Sequence, residues 1–295
     1  MRGVIVRAAI AMAVAGAMAL LVPGGSASAR PPAIHLYSAQ SALDATPSKE
    51  ASVSCPDDSE VLSGGAYVVG GDRRVHIVRS QPSPSVNGWI AGAQTAPGVE
   101  RTGTWRLYVY VKCGQHVYID LGFVGDTQVV TFHTSAGSDP AADVSAPCPD
   151  DRVVVSAGGR VSGGDGEVVL DDLTIVPDAN PVRVRAVETE GGSAKAWSVW
   201  AYAVCAKQSS LPGYEVVADD TVSTTSDKGY GLACPGTKLL VGSGAAMVGA
   251  NGHAHFTRLE PSGDQFTVES IVDETGAPNS WVLQTQAVCA FPYGG

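Results

Sequence analysis

The stretch Trp105-Arg106-Leu107-Tyr108-Val109-Tyr110-Val111-Lys112-Cys113 decides the fold, because its pattern recurs twice. The copies are Trp197-Ser198-Val199-Trp200-Ala201-Tyr202-Ala203-Val204-Cys205 and Trp281-Val282-Leu283-Gln284-Thr285-Gln286-Ala287-Val288-Cys289. In each copy a tryptophan stands eight residues before a cysteine, and the positions in register with both are mostly apolar. Side chains that alternate in this way belong to a strand with one buried face. The opposite face reads Arg106, Tyr108, Tyr110, Lys112 in the first copy, Ser198, Trp200, Tyr202 in the second and Val282, Gln284, Gln286 in the third.

Working outward, each closing cysteine has an opening partner of its own. Cys55, Cys148 and Cys234 are each followed by proline, and Cys113, Cys205 and Cys289 lie 58, 57 and 55 positions further on. Six cysteines permit fifteen pairings, and the threefold repeat favours Cys55–Cys113, Cys148–Cys205 and Cys234–Cys289. Gly65, Gly158 and Gly244 each stand ten residues after the opening cysteine, and Pro82, Pro177 and Pro261 stand 27, 29 and 27 after it. Four landmarks shared by three copies establish an internal repeat. The shared glycines are expected to let two sheets, or the disulfide, approach closely, or to mark a bulge.

The intervening apolar runs are short and separated by Gly70-Gly71-Asp72, by Gly163-Gly164-Asp165-Gly166 and by Asn251-Gly252, which are hairpin residues. No window of helical length shows a 3.6-residue period after the N-terminal region. The sequence therefore predicts an all-β chain of three tandem, disulfide-stapled antiparallel repeats at residues 30–115, 116–207 and 208–295. Each is expected to hold about four or five strands, with the disulfide joining its first strand to its last. Three sheets closed around a pseudo-threefold axis, as in a β-prism, and three small sandwiches in a row both fit. The connectors 114–147 and 206–233 contain strand-like runs (117–124, 128–132, 214–222) and lack the polar, Pro-rich composition of linkers, which favours one closed assembly.

The N-terminus carries Arg2 and Arg7, an apolar stretch over residues 8–22, and Ala27-Ser28-Ala29 after a Pro-Gly-Gly break. This reads as a secretory signal peptide over residues 1–29, with an apolar run too short for a stable membrane anchor. An even number of cysteines in an exported chain reads as disulfides. The expected localisation is secreted and extracellular. The chain holds 19 Lys+Arg against 29 Asp+Glu, a net charge of −10, which repels phosphate backbones and argues against nucleic acid as a partner.

The combination of Cys-Pro, Gly-Gly, a tryptophan eight before the closing cysteine, and the endings Ala203-Val204-Cys205-Ala206 and Ala287-Val288-Cys289-Ala290 resembles exported repeat proteins of high-GC Gram-positive bacteria. That resemblance spans most of the chain after the signal peptide and implies no activity. In architecture alone the threefold arrangement is similar to the β-prism of the vitelline membrane outer layer protein, an analogy of fold and not of function.

Signatures of catalysis are absent: no G-x-S-x-G, H-E-x-x-H, phosphate loop or dinucleotide fingerprint occurs, and no cofactor is implied. The acidic pairs Asp57-Asp58, Asp150-Asp151, Asp171-Asp172 and Asp219-Asp220 are the raw material of glycoside hydrolysis. Two of them, however, follow Cys-Pro in successive repeats, where Asp serves a turn. Counting back six from the landmark prolines gives His76, Asp171 and His255, a set that could hold a divalent metal if the repeats close on an axis. The aromatic positions Tyr108, Tyr110, Trp200 and Tyr202, with Arg106, suit sugar rings, which stack on aromatic faces while their hydroxyls meet polar groups. The expected function is a non-enzymatic binding protein for a glycan or cell-wall polymer, acting through repeated sites. A structural or protective coat protein, and a hydrolase or metal-dependent enzyme, are the alternatives.

Overall fold

The computed structural model describes residues 34–96, 98, 103–115, 127–176 and 180–291. The signal peptide, the strand-like run 117–124 and the landmark Pro177 lie outside the described residues. The chain is nearly all β, and each repeat carries six described strands. The first repeat holds β1 (Ile34–Gln40), β2 (Ser48–Ser54), β3 (Ser59–Gly70), β4 (Val75–Pro82), β5 (Gly88–Thr95) and β6 (Trp105–Gln115). The second holds β7 (Gln128–His133), β8 (Ala141–Pro147), β9 (Arg152–Gly163), β10 (Val168–Ile175), β11 (Pro181–Glu188) and β12 (Trp197–Lys207). The third holds β13 (Glu215–Asp220), β14 (Lys228–Ala233), β15 (Leu239–Val248), β16 (Ala254–Ser262), β17 (Gln265–Val272) and β18 (Val282–Ala290).

Six strands replace the expected four or five because two strands precede each opening cysteine. In the second and third repeats these are β7 and β8, and β13 and β14; β8 and β14 are rich in Ala, Gly and polar residues and carry little alternation. They lie at sheet edges, where one unpaired side and partial solvation remove the demand for a continuous apolar face.

The strands form three six-stranded antiparallel sheets, and none of them belongs to a single repeat. The first sheet runs β1-β6-β3-β16-β17-β14, the second β2-β5-β4-β9-β12-β7 and the third β13-β18-β15-β10-β11-β8. Every repeat thus places its first, third and sixth strands in one sheet and its second, fourth and fifth in the next. The central strands of the three sheets pack on one another pairwise, giving a three-sided prism with one contiguous hydrophobic core. The Gly-rich turns expected as hairpins join strands of different sheets (β3 to β4, β9 to β10, β15 to β16) and so form the prism's corners. Their sharp path needs positive φ, as at Gly70 (88°), Gly71 (81°), Gly163 (89°) and Gly252 (87°).

The seams between repeats explain the shared glycines. At the β3/β16 seam only Tyr67↔Arg258 and Ala66↔Leu259 pair, and a Cβ on Gly65 would fall 1.7 Å from the Leu259 carbonyl oxygen. Gly158 meets Pro82 and Gln81 in the same way, and Gly244 the Leu173 carbonyl oxygen. The close approach is therefore between two repeats within one sheet.

All three expected disulfides are present, with Cα–Cα distances of 5.7, 5.8 and 5.7 Å. The opening cysteine follows the second strand of its repeat, not the first, and the closing one lies on the sixth. Each bridge therefore ties together the two sheets to which its repeat contributes. On the loop-entropy model, a loop of this length removes about 4 kcal/mol from the unfolded state. Trp89, Trp105 and Trp281 are fully buried. The Lys49 ammonium sits 4.4 Å from the Trp105 ring and Lys228 sits 4.6 Å from Trp281. In the second repeat Trp197 instead donates its indole N–H to Glu188 at 3.0 Å. No described helix is long and apolar enough to cross a membrane.

Candidate functional site

The outer faces of two sheets carry rows of rings. On the first sheet Gln40, Tyr108, Tyr67, Arg258 and Glu269 follow one another across five strands at one level. Tyr67 and Tyr108 have ring centroids 6.4 Å apart, and Tyr108 and Tyr110 6.5 Å, all near-parallel. The Arg258 guanidinium lies 4.6 Å from the Tyr67 ring and is fixed by Glu260 (2.6 Å) and Glu269 (2.8 Å). Arg106 donates to Gln40 Oε1 at 3.0 Å. Burial and the neighbouring Glu260 carboxylate push the Tyr110 hydroxyl up to about 12, so it remains a neutral hydrogen-bonding group across the physiological range.

At the matching level of the second sheet stand His133, Trp200, Arg160 and Arg79. His133 stacks on Trp200 at 4.1 Å and 21°, and the Arg160 guanidinium lies 5.5 Å from the same indole. The Trp200 indole N–H has no partner. Tyr202, expected on this surface, is only 5% exposed. It supports Trp200 from 6.5 Å and leaves Trp200 and His133 as the open ring faces.

The third sheet departs from the pattern. Its level holds Asp220, Gln284, Ala246, Asp172 and Arg185, with no ring. Gln286, the counterpart of Tyr110 and Tyr202, accepts from the Ile175 N–H (2.7 Å) and donates to the Ile175 carbonyl (2.9 Å). It seals a seam instead of presenting a surface.

Of the expected surface residues, the structure groups Arg106, Tyr108 and Tyr110 on one sheet and Trp200 and Tyr202 on another. Tyr67, Arg258, Glu260, Glu269, His133 and Arg160 complete the two groups and escaped the sequence reading. Arg258, Glu260 and Glu269 come from the third repeat and reach the first only through the seam. His133 could have been found as the residue that extends the strand-like run 128–132.

A second concavity of about 470 Å³ opens where the corner turns of all three repeats meet. Arg73, Arg74, Glu167 and Gly252 come from those turns, and His76, Val169 and His255 from the strands that follow them. Thr189, Glu190, Asp273 and Glu274 stand just beyond the paired strands. His76 and His255 are buried, with ring centroids 5.5 Å apart and interplanar angle 59°. Burial holds His76 down at about 4, and burial with the adjacent His76 and Arg73 holds His255 at about 3. Both imidazoles are neutral at pH 7.

Asp171 does not join them, which corrects the expected His76/Asp171/His255 set. It accepts from Arg185 Nη1 at 2.6 Å, and burial raises its carboxyl to about 6 against that pairing. The physical reason lies in register. The bulges of β4, β10 and β16 fall between Ile77 and Arg79, Leu170 and Asp172, and Phe256 and Arg258. Aligned on these, the counterpart of His76 and His255 is Val169, and Ile175 stands where Pro82 and Pro261 stand. Ile175 is 27 residues after Cys148, the spacing of Pro82 from Cys55 and of Pro261 from Cys234, whereas the proline of the second repeat comes 29 after. Among the described residues no three His, Cys, Asp or Glu side chains come together as a metal centre.

The acidic pairs lie apart from both regions or are already engaged. Asp57, Asp58, Asp150 and Asp151 are exposed, Asp172 is held by Thr174 and Arg183, and of the exposed pair Asp219-Asp220 the first accepts from the Tyr230 hydroxyl. In comparison with known proteins, no family model and no curated protein matches this chain. The assignment of function therefore rests on the geometry itself.

Proposed function

We propose that this is an extracellular, non-enzymatic protein that binds a glycan or cell-wall polymer through the ring-bearing faces of its first and second sheets. The observation that carries the reading is the pairing of near-parallel, half-exposed or exposed rings with a guanidinium stacked on the end of each row: Tyr108–Tyr67–Arg258 on one face and His133–Trp200–Arg160 on the other. A pyranose offers an apolar face of C–H groups to such rings and hydroxyls to the flanking carboxylates, amide and guanidinium. Glu260 and Glu269 fix Arg258 before any ligand arrives, which lowers the ordering cost of binding. Two such faces on one rigid body suit a long polymer, since the second contact is intramolecular once the first is made. The three disulfides fit an oxidising compartment outside the cytoplasm.

Co-sedimentation with insoluble cell-wall polysaccharide tests this. Tyr108→Ala and Trp200→Ala should each weaken retention by about two- to tenfold, and the double variant should lose more than either. Retention unchanged in the double variant would overturn the reading. Self-association without retention would favour a coat protein.

A further inference from the structure

We infer that the pocket on the pseudo-threefold axis is a binding site for a divalent first-row transition metal, with His76 and His255 as its two protein ligands. This goes beyond the proposed glycan binding and concerns a different part of the molecule.

Three observations converge. First, the two imidazoles come from different repeats and are brought together only by closure of the prism. They are 2% and 7% exposed, and the Nε2 of each is buried with no hydrogen-bond partner. A buried ring nitrogen left without a partner costs free energy unless something supplies one. Second, the spacing fits. With a metal–nitrogen bond of about 2.1 Å and near-tetrahedral angles, two imidazoles sharing one metal have centroids about 5 Å apart, against 5.5 Å here. Third, the pocket favours a cation. Its lining includes Glu167, Glu190, Asp273 and Glu274 against Arg73 and Arg74; Glu274 is taken up by Arg74 and Arg73 by Asp227 outside the lining, which leaves Glu167, Glu190 and Asp273 as the excess of negative charge.

Two neutral imidazoles are borderline-soft nitrogen donors, which select zinc, copper or nickel over calcium or magnesium. Two protein ligands leave the remaining coordination positions to water or to a donor that enters with the metal. Val169 completes the threefold set with an apolar side chain. It shows that valine is accommodated at this strand position and supplies the substitution for the test.

The experiment uses tag-free protein stripped with chelator. Zinc titrated calorimetrically should bind once per chain. His76→Val and His255→Val should each weaken binding by about tenfold or more. His253→Ala, which removes the imidazole 3.7 Å from Asp273, should leave it unchanged. Copper(II) bound to the unaltered protein should show electron-spin-echo coupling to two imidazole nitrogens, a readout that does not depend on the variants folding. Absence of zinc binding, binding lost in His253→Ala but retained in both valine variants, or a copper spectrum without two imidazole nitrogens would each overturn the inference and leave His76 and His255 as an aromatic contact.

Discussion

At the scale of single residues, the charge state of the His76/His255 pair sets a pH dependence. The folded pKa values, about 4 and about 3, lie below the ordinary value of 6.5, so the unfolded chain binds more protons than the folded one as pH falls below 6.5. Stability therefore declines with falling pH through that window. Asp171 works in the opposite direction: its folded value of about 6 exceeds 3.8, so protonation favours the folded state as pH falls from about 6. Burial raises the neighbouring Asp172 as well, and the two carboxyls offset only part of the loss from two imidazoles. The unfolding midpoint in urea, measured on metal-free protein, should fall between pH 6.5 and pH 4, and His255→Val should flatten that slope. An unchanged slope would show that the pair does not titrate in this way. The same residues show the limits of reading by spacing. His76 and His255 are visible as equivalents in the sequence, whereas counting from the prolines gives Asp171 as the third member and the strand bulges give Val169, with Ile175 where Pro82 and Pro261 stand.

At the scale of elements, the seams are the points of least tolerance. β3 and β16 share only two paired positions, so their contact depends on backbones meeting without intervening side chains. Gly65→Ala places a methyl group against the Leu259 carbonyl and the ring of Pro261. It should cost about 1–3 kcal/mol or more, as overpacking does, and should also disturb Arg258 and hence the first ring-bearing face. Gly92→Ala is the comparison: its added methyl meets the Arg79 Cβ at 3.2 Å, a contact tight by a few tenths of an ångström and not an overlap with a carbonyl, so the loss should be smaller. Urea unfolding of the two variants checks the order, and equal effects would contradict the seam argument. The long strands that end in the closing cysteines were legible because apolar residues alternate along them. The short strands before the opening cysteines were partly hidden, since β8 and β14 rely on pairing more than on burial.

At the scale of the whole molecule, every sheet is completed by a neighbouring repeat. Residues 30–115 contain β1, β6 and β3 without β16, and β2, β5 and β4 without β9. Expressed alone, this segment should not form a folded monomer; any folded species should sediment as a trimer that closes the three sheets, and a folded monomer in ultracentrifugation would refute the interdependence. The sequence by itself determined the threefold repeat, the all-β character and the disulfide pairing, because alternation and cysteine spacing are local properties that each copy restates. Only the tertiary structure decided which strands share a sheet and which side chains meet. Tyr67 stacks under Arg258, and His76 faces His255, across seams between segments far apart in the chain. Contacts of that kind follow from the closure of the prism and leave no periodic trace in either strand.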